Sequence, residues 1–112
     1  MNRLASASGL RSGRKDFFYW QSISTRWGDN DIYGHVNNAV YFTYIDSVVN
    51  QFLIENRLID IQNGDLIGLV VSSQCQFFAP LNYPGQVDCG LRVDRIGNSS
   101  VAYSVGLFST DN

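Results

Sequence analysis

Cysteine is scarce in this 112-residue chain: Cys75 and Cys89 are the only two, and neither belongs to a C-x-x-C pair. That spacing excludes a zinc site of the usual kind and a disulfide-built scaffold. A single Cys75–Cys89 disulfide is conceivable, but two thiols in a reducing compartment is the favoured reading. Long apolar runs are also missing, since no stretch approaches the roughly 20 residues a membrane helix needs. Positive charge is thin outside the N-terminus: from Asp16 onward, Arg26, Arg57, Arg92 and Arg95 face all ten acids. An acidic body with four scattered arginines offers no clustered face for phosphate, which argues against nucleic acid as a partner.

What remains is enough for one small domain: 45% hydrophobic and 16% charged residues suit a single buried core. Residues 1–15 stand apart, because Arg3, Arg11, Arg14 and Lys15 lie among Ser, Ala and Gly with no acid. They read as a flexible basic leader with the composition of a mitochondrial transit peptide, or else as an arm without a role. The expected location is therefore cytoplasmic or mitochondrial, and the domain proper spans residues 16–112.

Residues 17–26 open with aromatics and then alternate, which reads as a strand. Residues 27–37 are rich in Gly, Asp and Asn and read as a loop. From Asn38 the period changes: Val40, Tyr41, Tyr44, Ile45, Val48, Val49, Phe52 and Leu53 form one apolar stripe, so a helix should run to about Asn56 or Leu58, with Asn37 or Asn38 as N-cap. Asn63-Gly64-Asp65 is a turn, and residues 67–79 read as strand. Pro80 and Pro84 bracket a turn ending at Gly85. Residues 86–96 and 100–109 alternate around the short loop Gly97-Asn98-Ser99, a hairpin. The order is that of an α+β domain, with one long helix lying on an antiparallel sheet.

The one dense polar constellation is Asp29-Asn30-Asp31-Ile32-Tyr33-Gly34-His35-Val36-Asn37-Asn38. Unpaired amides at a helix start sit at the positive end of the macrodipole and can hold an oxyanion. A carboxylate just ahead of them can act as nucleophile or as general base for water. The stretch equally reads as an ordinary turn with good capping residues.

The run from Arg26 to Tyr41 resembles the signature of the hotdog-fold acyl-CoA thioesterases, the 4-hydroxybenzoyl-CoA thioesterase-like group with its D-x-D-x-x-G-H-V-N-N-x-x-Y pattern. Val70–Leu81 is similar to that group's second strand, which ends in an F-x-x-P-L turn. The resemblance covers about residues 17–109. It implies a hotdog fold, an antiparallel sheet wrapped around one central helix, assembled as a homodimer or homotetramer with sites at the subunit interface. It implies hydrolysis of an acyl-CoA thioester, with CoA as part of the substrate and neither cofactor nor metal.

By the same resemblance the catalytic carboxylate falls on Asp31, and the carbonyl is polarised by amides near Asn37 and Asn38. Related acyl-carrier-protein thioesterases use D-x-N-x-H; Tyr33 stands at the Asn position here, so Asp31 alone is favoured as base or nucleophile. His35 either orients water or thioester, or braces the loop. Asp29 reads as loop-bracing, and Tyr41 and Tyr44 as core or acyl-pocket residues. Asp46 reads as solvated or interfacial. Arg92 and Arg95 either meet CoA phosphates or lie on a solvated strand face.

One departure concerns the end of the chain. The resemblance calls for a further strand after 101–109, in the middle of the sheet, and none follows. The gap is expected to be filled by a rearranged or partner strand, or the chain is a fragment. The alternative function is accordingly a truncated, non-catalytic hotdog module that binds acyl-CoA or only dimerises. A dehydratase is a weaker reading, because the sole histidine sits in the loop itself.

Overall fold

The computed structural model describes residues 2–5, 13–57, 70 and 72–110. Its one α-helix among these residues is α1, Asn38–Glu55. Asn37 is its N-cap, with a side-chain oxygen that accepts from the Ala39 N–H at 2.9 Å. Tyr41, Tyr44 and Val48 are buried at helical spacing, and Val40, Ile45, Val49 and Phe52 pack beside them. The helix ends at Glu55 with Asn56 as its C-cap, which fits the nearer of the two expected ends, Asn56; Leu58 lies outside the described residues. Asn56 is the reason for the stop: its side chain donates to the Phe52 carbonyl at 2.8 Å, and Arg57 then turns left-handed with φ 57°.

Among the described residues five strands form one antiparallel sheet: β1 (Asn2–Ala5), β2 (Tyr19–Ser24), β3 (Gln76–Phe77), β4 (Gln86–Ile96) and β5 (Val101–Ser109), in the order β2-β4-β5-β1-β3. The β4–β5 hairpin is the longest ladder, with one register shift between Val93 and Arg95. Its alternation is the one expected: Val87, Cys89, Leu91, Val105 and Leu107 are buried in the cluster that α1 covers. The α+β architecture, one helix against an antiparallel sheet, is thus the expected one.

The opposite face of the hairpin carries a notch. Gly90 and Gly106 are directly paired across the ladder. A Cβ at either would lie 2.8 Å from Phe17 atoms, so only glycine lets that ring approach the sheet. Phe17 meets Phe108 and Trp20 edge-on at 5.9 and 6.0 Å. Arg14 closes the cluster, its guanidinium 4.8 Å from the Phe108 ring and 3.0 Å from Asp88.

Two expectations change. The strand expected over 67–79 is realised only as β3; Val70 and residues 72–75 lie outside any strand, and the other residues before them are outside the description. A strand persists only where a neighbour takes its hydrogen bonds, and β1 meets β3 through Arg3 and Leu4 alone. The leader, in turn, is not wholly a flexible arm. Residues 2–5 pair with β5 on one side and β3 on the other, filling the expected gap in the sheet from within the chain. Arg14–Asp16 forms one 3-10 turn that leads into Phe17. The turn expected at Asn63-Gly64-Asp65 lies outside the described residues.

Candidate active site

The loop between β2 and α1 is a small hydrogen-bonded hairpin that ends at the helix N-terminus. Asn30 and Val36 form an isolated antiparallel bridge. The Asp31 N–H donates to the His35 carbonyl at 2.9 Å, and Gly34 N–H donates back to the Asp31 carbonyl at 3.2 Å. Gly34 sits at φ 81°, a left-handed conformation that a side chain would strain. Val36 N–H donates to the Leu81 carbonyl at 2.8 Å, tying the loop to the turn after β3. Asn30 adds a second tie, its side-chain oxygen accepting from Tyr83 N–H at 3.2 Å.

Asp29 anchors this loop, as expected, though through more than turn amides. Its side chain is 1% exposed. Oδ2 accepts from the Tyr44 hydroxyl at 2.6 Å and from Arg26 N–H at 2.9 Å, while the Arg26 guanidinium holds Oδ1 from Nε at 3.1 Å and Nη2 at 2.9 Å. Burial alone would raise the carboxyl, but the bonds from Tyr44 and Arg26 outweigh it and hold Asp29 below the usual carboxylate range. The same contact, with burial as the larger cause, pushes the Tyr44 phenol up. Asp29 is therefore a fixed, satisfied anion with no oxygen to spare for chemistry.

Asp31 differs in every respect. It is half-buried, and Oδ1 accepts from the Tyr33 N–H at 2.8 Å, a short Asx turn that fixes the side chain. Oδ2 has no partner among the described residues. Two residues of opposite fate thus share one D-x-D pair: the first carboxylate is used up by the fold, and the second keeps a free oxygen.

The helix start narrows the choice of oxyanion donor. Asn37 N–H is spent on the Asp29 carbonyl at 2.8 Å, and its side chain caps Ala39. Asn37 is therefore a cap and not an open donor, which corrects the expectation for that residue. Asn38, the first helical residue, has an N–H without an acceptor among the described residues. Tyr41, expected as a core or acyl-pocket residue, lies in the core. It is fully buried, and its hydroxyl accepts from the Leu81 N–H at 3.0 Å, so its contact is with the turn and not with an open pocket.

His35 is exposed, and its Nδ1 lies 2.8 Å from the side chain of Asn82. Asn82 belongs to the turn between β3 and β4 and was not singled out by sequence. An Asn in a Pro-bracketed turn is unremarkable by type, and 47 residues separate it from His35. Both cysteines are free of disulfide; Cys89 is buried, and burial with the nearby Asp88 charge pushes its thiol up to about 12. Arg92 binds Asp94 at 2.8 Å and lies over Phe17, while Arg95 is exposed. Asp46 is exposed on α1, bonded to Asn50. Among the described residues no helix is long and apolar enough to cross a membrane. Among the described residues no cluster of His, Cys, Asp and Glu is placed to hold a metal ion.

Residues 33–112 match the thioesterase superfamily. The chain belongs to that family. The Pseudomonas aeruginosa PAO1 protein PA5185 is 49% identical, with a TM-score of 0.78 over 86% of this chain and 76% of that one. A protein from Xanthomonas campestris described as a candidate acyl-CoA thioesterase is 28% identical, with a TM-score of 0.73 over 86% of this chain and 80% of its own. The Bacillus subtilis protein YsmA is 22% identical over 79% of this chain, and the match spans 59% of its length. The fold, one helix against an antiparallel sheet, is the hotdog fold of that superfamily.

Proposed function

We propose that this thioesterase-superfamily chain hydrolyses acyl-CoA thioesters to the free acid and CoA, working as a homo-oligomer. The observation that carries the reading is the state of Asp31: one carboxylate oxygen fixed by the Tyr33 N–H, the other open, in the loop that opens α1. As general base, Asp31 takes a proton from water while the water oxygen adds to the acyl carbon. As nucleophile, it adds to that carbon itself, and once the thiolate has left, water cleaves the resulting mixed anhydride. Either way the carbonyl oxygen becomes an anion, for which the Asn38 N–H is a suited donor at the positive end of the helix. The C–S bond then breaks as the oxyanion collapses, and the leaving CoA thiolate takes up a proton: the one held by Asp31 in the general-base route, one from solvent in the nucleophilic route. The description of the Xanthomonas campestris relative supports the substrate class. The test is thiol release from a panel of acyl-CoAs, short, long and aromatic, against a blank that accounts for Cys75 and Cys89. Turnover of at least one member is expected. A folded chain that binds acyl-CoA without releasing thiol would overturn the reading in favour of a binding module.

A further inference from the structure

The geometry points to Asn82 as the residue that fixes which nitrogen of His35 carries the proton, making His35 a hydrogen-bond donor to the thioester and not a base. The side-chain amide of Asn82 faces two carbonyl acceptors, those of Gly34 and Leu81, each 3.1 Å away, and on the same side His35 Nδ1 at 2.8 Å. An oxygen turned toward them would set acceptor against acceptor at both carbonyls, so the nitrogen occupies that position and its N–H groups donate. Nδ1 of the neutral ring must then accept, which leaves the proton on Nε2.

The consequence is chemical. A neutral imidazole with hydrogen on Nε2 has nothing on that atom with which to abstract a proton from water. It can donate a hydrogen bond, and an oxyanion is the partner that gains most from one. The inference rests on the thioesterase reading for its substrate and deepens it: Asp31 handles water or the acyl carbon, and His35 Nε2–H offers a donor to the carbonyl oxygen as charge develops. No proton leaves the ring, so no net transfer has to be balanced there. Asn82 acts only through His35, as a positioning residue. It is well placed to do so because its turn is itself held to the loop through Val36 N–H to Leu81 O.

His35 is the chain's only histidine, so its ring nitrogens can be read by nitrogen-15 NMR without assignment. The experiment compares wild type, Asn82→Ala and Asn82→Asp at a pH where the ring is neutral, and measures thiol release from the best acyl-CoA beside it. Wild type is expected to carry the proton on Nε2. Asn82→Asp, whose carboxylate can only accept, should move it to Nδ1 and lower kcat at least about tenfold, the scale of one hydrogen bond to a developing charge. KM should change less than kcat, because the bond strengthens in the transition state. Asn82→Ala should give a mixture of tautomers and an intermediate rate.

A wild-type ring protonated on Nδ1, or a tautomer indifferent to Asn82→Asp, would overturn the assignment. An inverted tautomer with unchanged kcat would overturn the donor role of His35. Wild type with the expected tautomer and no turnover of any acyl-CoA would instead sink the thioesterase reading, and Asn82's control of the ring would stand.

Discussion

Replacing Tyr44 by Phe removes one oxygen from the core and leaves the shape of the side chain unchanged. In the structure that oxygen donates to Asp29 Oδ2 at 2.6 Å, against a carboxylate that is 1% exposed. Hydrogen bonds to charged groups contribute about 1.5–3 kcal/mol, and here Oδ2 keeps its bond from Arg26 N–H, so a loss of about 2 kcal/mol is expected. For an m-value of roughly 2 kcal/mol/M in urea, the unfolding midpoint should fall by about 1 M with no change in slope. The exposed Arg26 guanidinium is screened and contributes less to the same carboxylate.

The effect has a defined pH dependence. Asp29 is depressed in the folded state, so its contribution is present above the ordinary carboxylate range near ~4 and is lost as pH falls through the folded value. Tyr44 is raised, so its contribution is present below about 10 and is lost as pH climbs toward the folded value. The gap between wild type and Tyr44→Phe should be widest near neutrality and should narrow on both sides. Urea titrations at matched protein concentration read this directly. A neutral-pH difference below about 0.5 kcal/mol, or a gap that widens in acid, would refute the argument that Asp29 is an anion held by Tyr44.

Gly106→Ala should destabilise the chain by about 1–3 kcal/mol, seen as a lower thermal midpoint, because the new methyl meets Phe17 and Phe108 atoms at 2.7–2.8 Å; an unchanged midpoint would mean that the aromatic cluster yields freely. A variant lacking residues 2–5 leaves β5 and β3 with unpaired edges, and light scattering should report aggregation that the full chain does not show. Equal dispersity would mean that β1 contributes nothing to the sheet. A thiol reagent should titrate Cys75 first in the folded protein and reach Cys89 only on unfolding, since Cys89 is fully buried with its thiol raised to about 12; two fast thiols would contradict that burial.

The parts of the fold that were legible in the sequence are those written in local periodicity. The α1 stripe and the β4–β5 alternation follow from spacing alone, and both appear where expected. β3 was overestimated because an apolar run says nothing about whether a neighbouring strand exists to pair with it. β1 was invisible for the converse reason: Asn2-Arg3-Leu4-Ala5 has no strand pattern, and it is the open slot beside β5 that makes it one. In the site, the separation of Asp29 from Asp31 was legible as a role but not as a mechanism, because the decisive partner, Tyr44, lies nearly two turns into the helix. Asn37 could be read as cap or as carbonyl-polarising amide, and Tyr41 as core or acyl pocket, because residue type does not reveal that an N–H or a hydroxyl is already engaged. Asn82 carried no signal at all: only tertiary structure brings its turn against His35.

The most direct test of the central claim is kcat of Asp31→Asn beside wild type, on whichever acyl-CoA the wild type turns over, with urea stability measured on the same samples. Asn keeps the size and the Asx-turn oxygen for Tyr33 N–H but can serve neither as base nor as nucleophile. The account predicts a loss of at least about 100-fold in kcat, the scale of a positioned general base, with stability within about 0.5 kcal/mol of wild type. Undiminished turnover in the folded Asp31→Asn protein would contradict it.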